Sequence, residues 1–389
     1  MKASETAEIR ELISKVSSWN PAASKDEGTF TYIDLSAIDQ DRKVINGARD
    51  IPCAEAPSRA RQVVQAGDIL VSTVRPNLNG VAVVPDDLHG ATASTGFCVL
   101  RPRAELLDGR YLFHWVKGAA FIQDMVKKAT GASYPAVSDR IVQSSTLPLP
   151  PIEEQRRIAA ILDKVDELRA KRKEALVLLN NMVQSIFVDM FGDPVKNPKG
   201  WPMAKLGDVG TLDRGVSKHR PRNDPKLLDG PYPLVQTGDV ANSGGYIESS
   251  SGTYSEAGLR QSRLWRAGTL CITIAANIAK TGILEFDACF PDSVVGFVAS
   301  DRATIEYVRI WLSFLQKTLE ENAPEVAQKN INLAILRNLD IPLPPIEHRE
   351  RFLLALDTVN GLSRRGRDAY QCTNQLFKAL QSHVFHRKK

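Results

Sequence analysis

The sequence predicts a mixed α/β protein made of two similar globular domains of short strands and helices, each followed by one long helix that pairs with the other. Three observations predict this fold class. The hexapeptide PLPPIE occurs twice, at residues 148–153 and 342–347. A long amphipathic run follows each copy. Short β-branched runs separated by Gly, Pro and Asn precede each copy, which is typical of strands joined by turns.

The similarity extends well beyond the hexapeptide. At an offset of 194 residues the two copies align without a gap over roughly forty positions, which indicates an internal duplication. Upstream segments also match, because AGDILVST resembles AGTLCITI and TGFCVL resembles VGFVAS. We therefore expect two similar globular domains at residues 1–147 and 194–341, a central helix within 148–193 and a distal helix within 342–389.

The first long run has the start, period and end of a helix. Prolines and acidic residues open it, because proline fixes a helical φ and carboxylates favour the positive end of the helix dipole. Apolar residues then recur every three or four positions until Gly192 and Pro194 end the run. A solvated helix of about 50 Å needs an apolar partner, and the second copy is the obvious one.

The second long run is a weaker helix former. Gly361 and Gly366 cost about 1 kcal/mol each in a helix, and Gly366 aligns with the charged seam position Arg172. A small residue facing a large one suits a packed layer, with the guanidinium reaching out to solvent, but the residues leave the orientation of the pair open. The predicted core of the helix pair consists of Ile158, Ile161, Val165, Leu168, Arg172, Leu179, Ile186, Phe352, Val359, Leu362, Gly366, Leu376 and Leu380.

Composition and charge limit the class of protein. Of 389 residues, 43% are hydrophobic and 24% are charged, without the apolar run of about 18 residues that a membrane span needs. The start, MKASETAEIR, lacks the apolar stretch of a secretory signal. The five cysteines have no CxxC spacing, so we expect reduced thiols in a cytoplasmic protein and no zinc site. The net charge of +5 favours an anionic partner only mildly.

Familiar catalytic motifs are absent from the sequence, which favours a binding protein over an enzyme. It contains no GxxxxGKS/T phosphate loop, no Asn-Pro-Pro-aromatic motif of an amino-methyltransferase and no glycine-rich cofactor loop after a strand. The PDSVV segment at 291–295 begins like a nuclease motif but lacks the acid-x-lysine that should follow. His383 and His386 have no further ligands nearby in sequence, which is more typical of surface residues than of a metal site.

Basic and polar residues concentrate in loops of both halves. Arginine and lysine suit phosphates and guanine edges, while asparagine and glutamine suit adenine edges, so these loops predict a DNA-binding surface. Plainer interpretations stay open: a solvated charged loop at 213–224, and turn geometry alone for Asn77 and Asn79. The candidates are Ser58, Arg59, Arg61, Arg75, Asn77, Asn79, Lys127, Lys128, Ser133, Tyr134, Arg214, Lys218, His219, Arg220, Arg222, Arg260, Lys280, Gln328, Lys329 and Asn330.

The chain resembles the DNA-specificity subunits of type I restriction–modification systems over essentially its whole length. The residues that carry the resemblance are PLPPIEEQRRIAAILDKVDEL and its second copy, PLPPIEHRERFLLALDTV. Two further segments, YIDLSAID at 32–39 and EAPSRARQVVQAGDILVSTVRPNLNG at 55–80, add to it. The strand-then-helix order of both halves agrees with the resemblance, and the second half is the more divergent.

The resemblance implies two target-recognition domains, each docking one half of a split DNA site, and two antiparallel helices that set the distance between them. It implies that this chain performs no chemistry and binds no cofactor. Its partners would be two methyltransferase subunits, which use S-adenosylmethionine to methylate adenine, and two restriction subunits, which use ATP and Mg²⁺. One departure is that EEQRR becomes EHRER in the second helix, so we expect the two methyltransferase contacts to differ in strength.

Two other functions remain open from the residues alone. A stand-alone methyltransferase or nuclease with unrecognised motifs would modify DNA without a partner. A coiled-coil scaffold without a DNA role would leave the matching polar loops of the two halves unexplained.

Overall fold

The computed structural model describes residues 6–24, 28–275, 279–321 and 332–385, without the side chains of 317–321. The chain divides into two compact units. Unit 1 comprises Met1–Ala175 and Gly366–Lys389, and unit 2 comprises Leu176–Arg365. The division falls inside both long helices, so each unit contains one globular domain and a part of each long helix.

Unit 1 contains twelve described strands and four short helices before the first long helix. The strands are β1 (Thr6–Glu8), β2 (Ile13–Ser14), β3 (Thr29–Ile33), β4 (Ile38–Asp39), β5 (Val44–Ile45), β6 (Arg49–Pro52), β7 (Ala60–Val63), β8 (Ile69–Ser72), β9 (Val81–Val83), β10 (Thr92–Ser94), β11 (Phe97–Pro102) and β12 (Thr146–Pro148). The helices are α1 (Ile9–Leu12), α2 (Gly109–Val116), α3 (Ala119–Lys128), α4 (Asp139–Gln143) and the long α5 (Ile152–Phe191), which continues into unit 2.

Two four-stranded sheets and a helical layer form most of the globular part of unit 1, beside the two-stranded pairs β1-β12 and β4-β5. One sheet has the strand order β6-β3-β10-β7 and the other has the order β2-β11-β8-β9. Side chains alternate along β8, because Ile69 and Val71 share a core with residues of α2 and α3, whereas Leu70 shares a core with residues of the other sheet. Strand β8 is therefore buried on both faces, which explains its continuous apolar sequence.

Unit 2 has a similar order of elements, with eleven described strands and two short α-helices inserted among them. Its strands are β13 (Met203–Lys205), β14 (Thr211–Arg214), β15 (Leu228–Leu234), β16 (Tyr246–Ile247), β17 (Gly252–Tyr254), β18 (Leu264–Trp265), β19 (Leu270–Thr273), β20 (Thr281–Leu284), β21 (Ala288–Cys289), β22 (Val294–Val298) and β23 (Asp340–Pro342). Its helices are α6 (Leu206–Val209), α7 (Thr237–Asn242), α8 (Glu256–Arg260), α9 (Arg302–Glu321), α10 (Leu333–Arg337) and the long α11 (Ile346–Phe385), which continues into unit 1.

The two sheets of unit 2 follow the same plan as those of unit 1. Their strand orders are β14-β22-β19-β20-β16 and β17-β15-β21-β18. Along β19, Leu270 and Ile272 share a core with residues of α9, while Cys271 shares a core with Trp265 and Phe290. The predicted fold class, two similar mixed α/β domains each followed by a long helix, is therefore confirmed.

The repeated hexapeptide closes each globular domain and starts each long helix. Its first residue ends a strand that pairs with the first strand of the domain, as β12 with β1 and as β23 with β13. The hydroxyl of Tyr111 donates to the carbonyl of Pro148 (2.9 Å), and the hydroxyl of Tyr307 donates to the carbonyl of Pro342 (2.6 Å). Burial raises the pKa of both phenols, so each remains a hydrogen-bond donor and ties a domain helix to the same point of the repeat.

A carboxylate on each long helix forms the second attachment of the domain helix. In unit 1, Asp163 pairs with Arg110 (2.5 Å) and with the ring of His114 (2.8 Å). In unit 2 the equivalent Asp357 pairs with Arg302 (2.5 Å). Burial opposes ionisation of Asp163, but hydrogen bonds from His114 and Arg110 hold the pKa of this carboxyl well below its usual range. Burial lowers the pKa of His114, so its neutral ring donates to Asp163.

The long helices run antiparallel where they meet within unit 1. Arg172 on α5 donates to the hydroxyl of Thr373 and to the carbonyl of Ala369 on α11. One turn earlier on α5, the guanidinium of Arg169 lies 4.4 Å from the ring centre of Phe377, one turn later on α11. The orientation that the resemblance implies is thus confirmed, but Arg172 reaches across to the other helix rather than out to solvent, because Thr373 and Ala369 offer it acceptors.

The burial pattern corrects part of the predicted helix-pair core. The prediction is wrong at Ile161, Leu168, Leu362 and Leu376, which are 41%, 43%, 48% and 50% exposed. A strict heptad has a period of 3.5 residues, whereas a helix has 3.6 residues per turn, and the globular domain covers part of each helix as well. The buried stripe therefore lies one residue further along, at Leu162, Ser363 and Phe377 among others.

The remaining predicted core positions are at least partly covered. Phe352 and Val359 are buried. Phe352 packs in unit 2 against Phe187 and Phe191, with ring centres 5.6 and 5.5 Å away. The half-buried positions are Ile158, Val165, Arg172, Leu179, Ile186, Gly366 and Leu380.

Truncation of Phe187 tests the aromatic cluster of unit 2. Phe187→Ala removes a fully buried ring that contacts Phe191, Tyr307 and Phe352, so we expect the free energy of unfolding to fall by about 3–5 kcal/mol. The neighbouring Val188 is 42% exposed, and Val188→Ala should change the free energy by about 0.5 kcal/mol or less. Urea unfolding of the full chain, followed by tryptophan fluorescence, measures both, and equal losses would contradict this core.

Candidate nucleic-acid interface

The turn between β10 and β11 holds two of the predicted loops of unit 1 together. The N–H of Thr95 donates to the carbonyl of Arg59 (2.8 Å). The carbonyl of Gly96 accepts hydrogen bonds from the N–H (2.9 Å) and the hydroxyl (2.8 Å) of Thr73. The loop before β7, which carries Ser58, and the loop after β8 therefore lie at the same edge of the unit.

A third segment, residues 130–136, lies against the loop after β8. The N–H of Arg75 donates to the carbonyl of Pro135 (2.7 Å), and Thr130 and Ala136 exchange two backbone hydrogen bonds of 2.9 Å. Helix α3 packs against residues 76–78. We call the exposed predicted residues that this arrangement brings to one edge the unit 1 patch: Ser58, Arg59, Arg75, Asn77, Lys127, Lys128, Ser133 and Tyr134.

Arg75 has an unusual backbone conformation within the unit 1 patch. Its φ is 50° and its ψ is 61°, a left-handed conformation that costs a non-glycine residue about 1–3 kcal/mol. Pro76 follows it, and a residue before proline is normally extended. The guanidinium lies 4.7 Å from the ring centre of Tyr134, which is 68% exposed. The chain thus holds a cation in a fixed place at the surface.

Two other predicted residues of unit 1 have local partners. The amide of Asn79, a second left-handed residue, donates to the carbonyl of Lys117 at 3.4 Å. The guanidinium of Arg61 donates to the carbonyl of Ala60 (2.7 Å). Both side chains are half-buried, so turn geometry accounts for Asn79 and backbone contact for Arg61.

In unit 2 the predicted basic loop, residues 215–224, is anchored at two places. Its Gly215 donates to the carbonyl of Val294 (2.9 Å), and a Cβ at Gly215 would lie 2.2 Å from the carbonyl oxygen of Phe290, so only glycine fits. Further along, the N–H of His219 donates to the side chain of Gln261 (3.0 Å). Gln261 directly follows α8, and the loop therefore lies beside Arg260 at the end of that helix.

Acidic residues neutralise part of this loop. Asp292 pairs with Arg222 (2.5 Å) and lies 3.6 Å from the guanidinium of Arg220. Asp224 accepts a hydrogen bond from the ring of His219 (3.1 Å). The hydrogen bond from the backbone N–H of Lys226 lowers the pKa of Asp224 most, and the hydrogen bond from His219 lowers it further. This carboxylate therefore stays ionised at neutral pH.

The other predicted residues of the second half divide into three groups. Arg214, Lys218 and Arg260 are exposed and have no ion-pair partner among the described residues. Lys280 is half-buried and donates to the side chain of Gln316 (3.3 Å). Gln328, Lys329 and Asn330 lie outside the described residues.

Sequence reasoning missed residues that the structure places at these surfaces. Thr95 is exposed in the turn that joins the unit 1 loops. Asp292 belongs to the PDSVV segment, in which the sequence indicates only an incomplete nuclease motif and no ion pair with the basic loop. Arg263 comes three residues after the predicted Arg260 in the sequence, and its guanidinium lies 3.9 Å from the ring centre of Trp265. Only the pairing of distant segments identifies the roles of these side chains.

Other kinds of site find no support within the described parts of the chain. No group of three or more His, Cys, Asp or Glu residues there could hold a metal ion. No described helix is long and apolar enough to cross a membrane. Cys53, Cys98, Cys271 and Cys289 are buried, and burial raises the pKa of Cys98 and Cys271. Exposed arginine, lysine, asparagine and tyrosine in ordered loops are instead typical of a protein that binds nucleic acid.

The chain belongs to the family of type I restriction modification DNA specificity domains, whose model matches residues 55–177 and 198–363. Relatives agree with this family. The specificity subunit of the type I restriction enzyme EcoBI from Escherichia coli is 22% identical over 325 residues, 74% of this chain and 67% of the relative. The MjaIX specificity subunit from Methanocaldococcus jannaschii is 24% identical over 241 residues, 58% of this chain and 52% of the relative.

Solved structures agree with the fold. A chain from a structure that describes complex assembly and conformational transition of the type I R-M system has a TM-score of 0.60, 27% identity and coverage of 98% of this chain and 97% of that one. The S subunit of a type I system from M. genitalium has a TM-score of 0.63 at 12% identity and covers 100% of this chain and 97% of its own, which supports the fold alone. The sequence-based assignment to the specificity subunits is confirmed.

Neutralising Asp292 tests the charge balance of the unit 2 loop. Asp292→Asn frees Arg220 and Arg222 from their carboxylate, so binding to duplex DNA should tighten. The affinity should also fall more steeply with salt concentration, by the equivalent of about one phosphate contact at most. Asp340→Asn makes the same charge change at an exposed pair with Lys205 in β13 (2.7 Å) and is the matched control. The measurement is the DNA affinity of both variants at several salt concentrations. Equal slopes of affinity against salt for the two variants would contradict the assignment of this loop to DNA binding.

Proposed function

We propose that this chain is a non-catalytic specificity subunit that reads a split DNA site, one part with each unit, and positions methyltransferase and restriction subunits on it. The observation that carries the proposal is a duplicated scaffold with unlike loops. Both units use the same tyrosine and aspartate attachments to the long helices, whereas their exposed polar loops differ in sequence, charge and anchoring. Two similar units with different loops suit a site whose two parts have different sequences.

The exposed side chains divide into two roles in this proposal. Arg59 and Lys127 contact phosphates, because a cation gains affinity there without reading a base. Lys128 pairs with Asp124 (2.7 Å) and contacts a phosphate by exchanging that partner. Asn77 contacts a base edge, since a carboxamide matches the donor and acceptor of adenine. In unit 2, Asp292 offsets Arg220 and Arg222. Lys218 and Arg260 therefore supply the positive charge that contacts phosphates.

The partner subunits supply the chemistry in this proposal. Methylation of adenine with S-adenosylmethionine belongs to two methyltransferase subunits, and ATP- and Mg²⁺-dependent cleavage belongs to two restriction subunits in the cytoplasm. Two similar long helices give two similar docking surfaces, which supports a pair of methyltransferase subunits. The change from EEQRR to EHRER places His348 and Glu350 at partly or fully exposed positions of α11, so the two docking contacts differ in strength. The third change, from buried Gln155 to Arg349, affects contacts within each unit instead.

Mapping methylated adenines tests the proposed function directly. In DNA from cells that contain this chain with its methyltransferase, we expect methylation at one split sequence with a fixed gap. The purified chain alone should transfer no methyl group to the same DNA. Methylation by the chain alone would support a stand-alone methyltransferase, and the absence of any sequence preference in the complex would contradict a role in DNA specificity.

Shortening the long helices tests whether they set the gap. Deleting seven residues from the middle of α5 and the matching seven from α11 removes about 10 Å of helix and keeps the heptad phase. Because a base pair rises about 3.4 Å, we expect the gap between the two half-sites to shrink by roughly three base pairs while each half keeps its sequence. A deletion in α5 alone is the control and should impair assembly. An unchanged gap in the double deletion would refute this role of the helices.

A further inference from the structure

We propose that Arg75 reads a guanine in the half-site of unit 1, and that Tyr134 is the positioning residue that holds its guanidinium for this contact. The inference rests on the proposed function and deepens it, because it assigns one residue of the unit 1 patch to one kind of base. It separates Arg75 from the neighbouring lysines, whose expected targets are phosphates.

The backbone at Arg75 is held in a conformation that the sequence itself disfavours. Its φ of 50° is left-handed, although it is neither glycine nor asparagine and precedes Pro76. The hydrogen bond from its N–H to the carbonyl of Pro135 (2.7 Å) fixes this conformation. Residues held in such sparsely populated conformations cluster at ligand-binding sites, and a merely solvated arginine would not require one.

The side chain of Arg75 is also held, yet its donors are not occupied. Its guanidinium lies 4.7 Å from the ring centre of Tyr134, which restrains it by a cation–π contact. Within the described parts of the chain, no carboxylate lies within 4.0 Å of this guanidinium and no acceptor is bound to it. Arg220 and Arg222 in unit 2 differ, because both lie within 4.0 Å of Asp292 and Arg220 also donates to the carbonyls of Ser217 and His219.

A guanine edge matches these features better than a phosphate does. The contact with Tyr134 restrains the position of the guanidinium, and two parallel donors of a guanidinium match O6 and N7 of guanine, the commonest specific contact of arginine with DNA. A phosphate can also accept two donors of a guanidinium, but any cation serves it, so it does not require an arginine held in a disfavoured backbone conformation. Lys127 and Lys128 at the end of α3 already place cations beside the turn for that purpose.

The experiment measures binding of the complex with its methyltransferase to duplexes in which each base pair of the half-site is replaced in turn. For Arg75→Lys, which keeps the charge but loses the planar donors, we expect discrimination at a single G·C pair to fall by roughly 5- to 150-fold. Discrimination at the other positions should persist. Lys127→Gln, the matched comparison on α3, should weaken binding to all duplexes alike and make the salt dependence shallower.

Tyr134 variants separate positioning from folding. Tyr134→Leu should reduce discrimination at the same G·C pair as Arg75→Lys, whereas Tyr134→Phe should retain more of it, because a phenyl face still attracts the cation. The thermal unfolding midpoint of each variant shows whether a loss reflects misfolding. Equal effects of the leucine and phenylalanine variants on discrimination would remove Tyr134 from the proposal.

Two results would overturn the inference while leaving the proposed function intact. A uniform loss of affinity in Arg75→Lys over all duplexes, with a shallower salt dependence, would show a phosphate contact. Unchanged discrimination at every position would show that Arg75 does not read a base. If the unmodified complex itself failed to discriminate between any of the duplexes, the proposed function would fail, and the inference with it.

Discussion

The attachment of each globular domain to a long helix is the constraint on which the rest of the structure depends. In both units a buried tyrosine of the domain helix donates to the first proline carbonyl of the repeated hexapeptide. A buried carbonyl without a donor costs about 1–3 kcal/mol, so the tyrosine and the proline segment must remain in register. The hexapeptide therefore repeats because the same junction, between the closing strand of a domain and the start of a helix, occurs twice.

The ion pairs show which parts of this junction can vary. Asp163 and Asp357 occupy equivalent positions on the two long helices, but their arginines come from different places: Arg110 directly precedes Tyr111, whereas Arg302 precedes Tyr307 by more than one turn. The carboxylate is therefore the fixed partner, and the domain helix supplies a cation from whichever turn faces it. Similar docking with different side chains allows the domains to diverge while their positions on the helices stay the same.

The sequence predicted the architecture better than the details of packing and surface. The hexapeptide, the helix period and the glycine–proline stop place α5 and α11 within the predicted ranges, because these signals are local. The seam was misplaced by one residue at positions such as Leu168 and Leu362, since burial by the globular domains is not visible in a heptad pattern. The ion pair between Arg222 and Asp292 joins residues far apart in sequence, and the left-handed conformation of Arg75 depends on Pro135, so neither could be read locally.

The distribution of charge explains how a protein of this family can bind DNA with only a modest net charge. A net charge of +5 over 389 residues cannot provide a strong general attraction to DNA, so affinity must arise where cations are left unpaired. In unit 1, Arg59, Arg75 and Lys127 have no carboxylate partner among the described residues. The same holds in unit 2 for Arg214, Lys218 and Arg260, whereas Asp292 offsets two further arginines of that unit. Each cation that contacts a phosphate releases counterions, so the salt dependence of binding should arise from these unpaired cations of both units. Weak general attraction combined with a few fixed contacts also favours specificity, because non-matching DNA then gains little from charge alone.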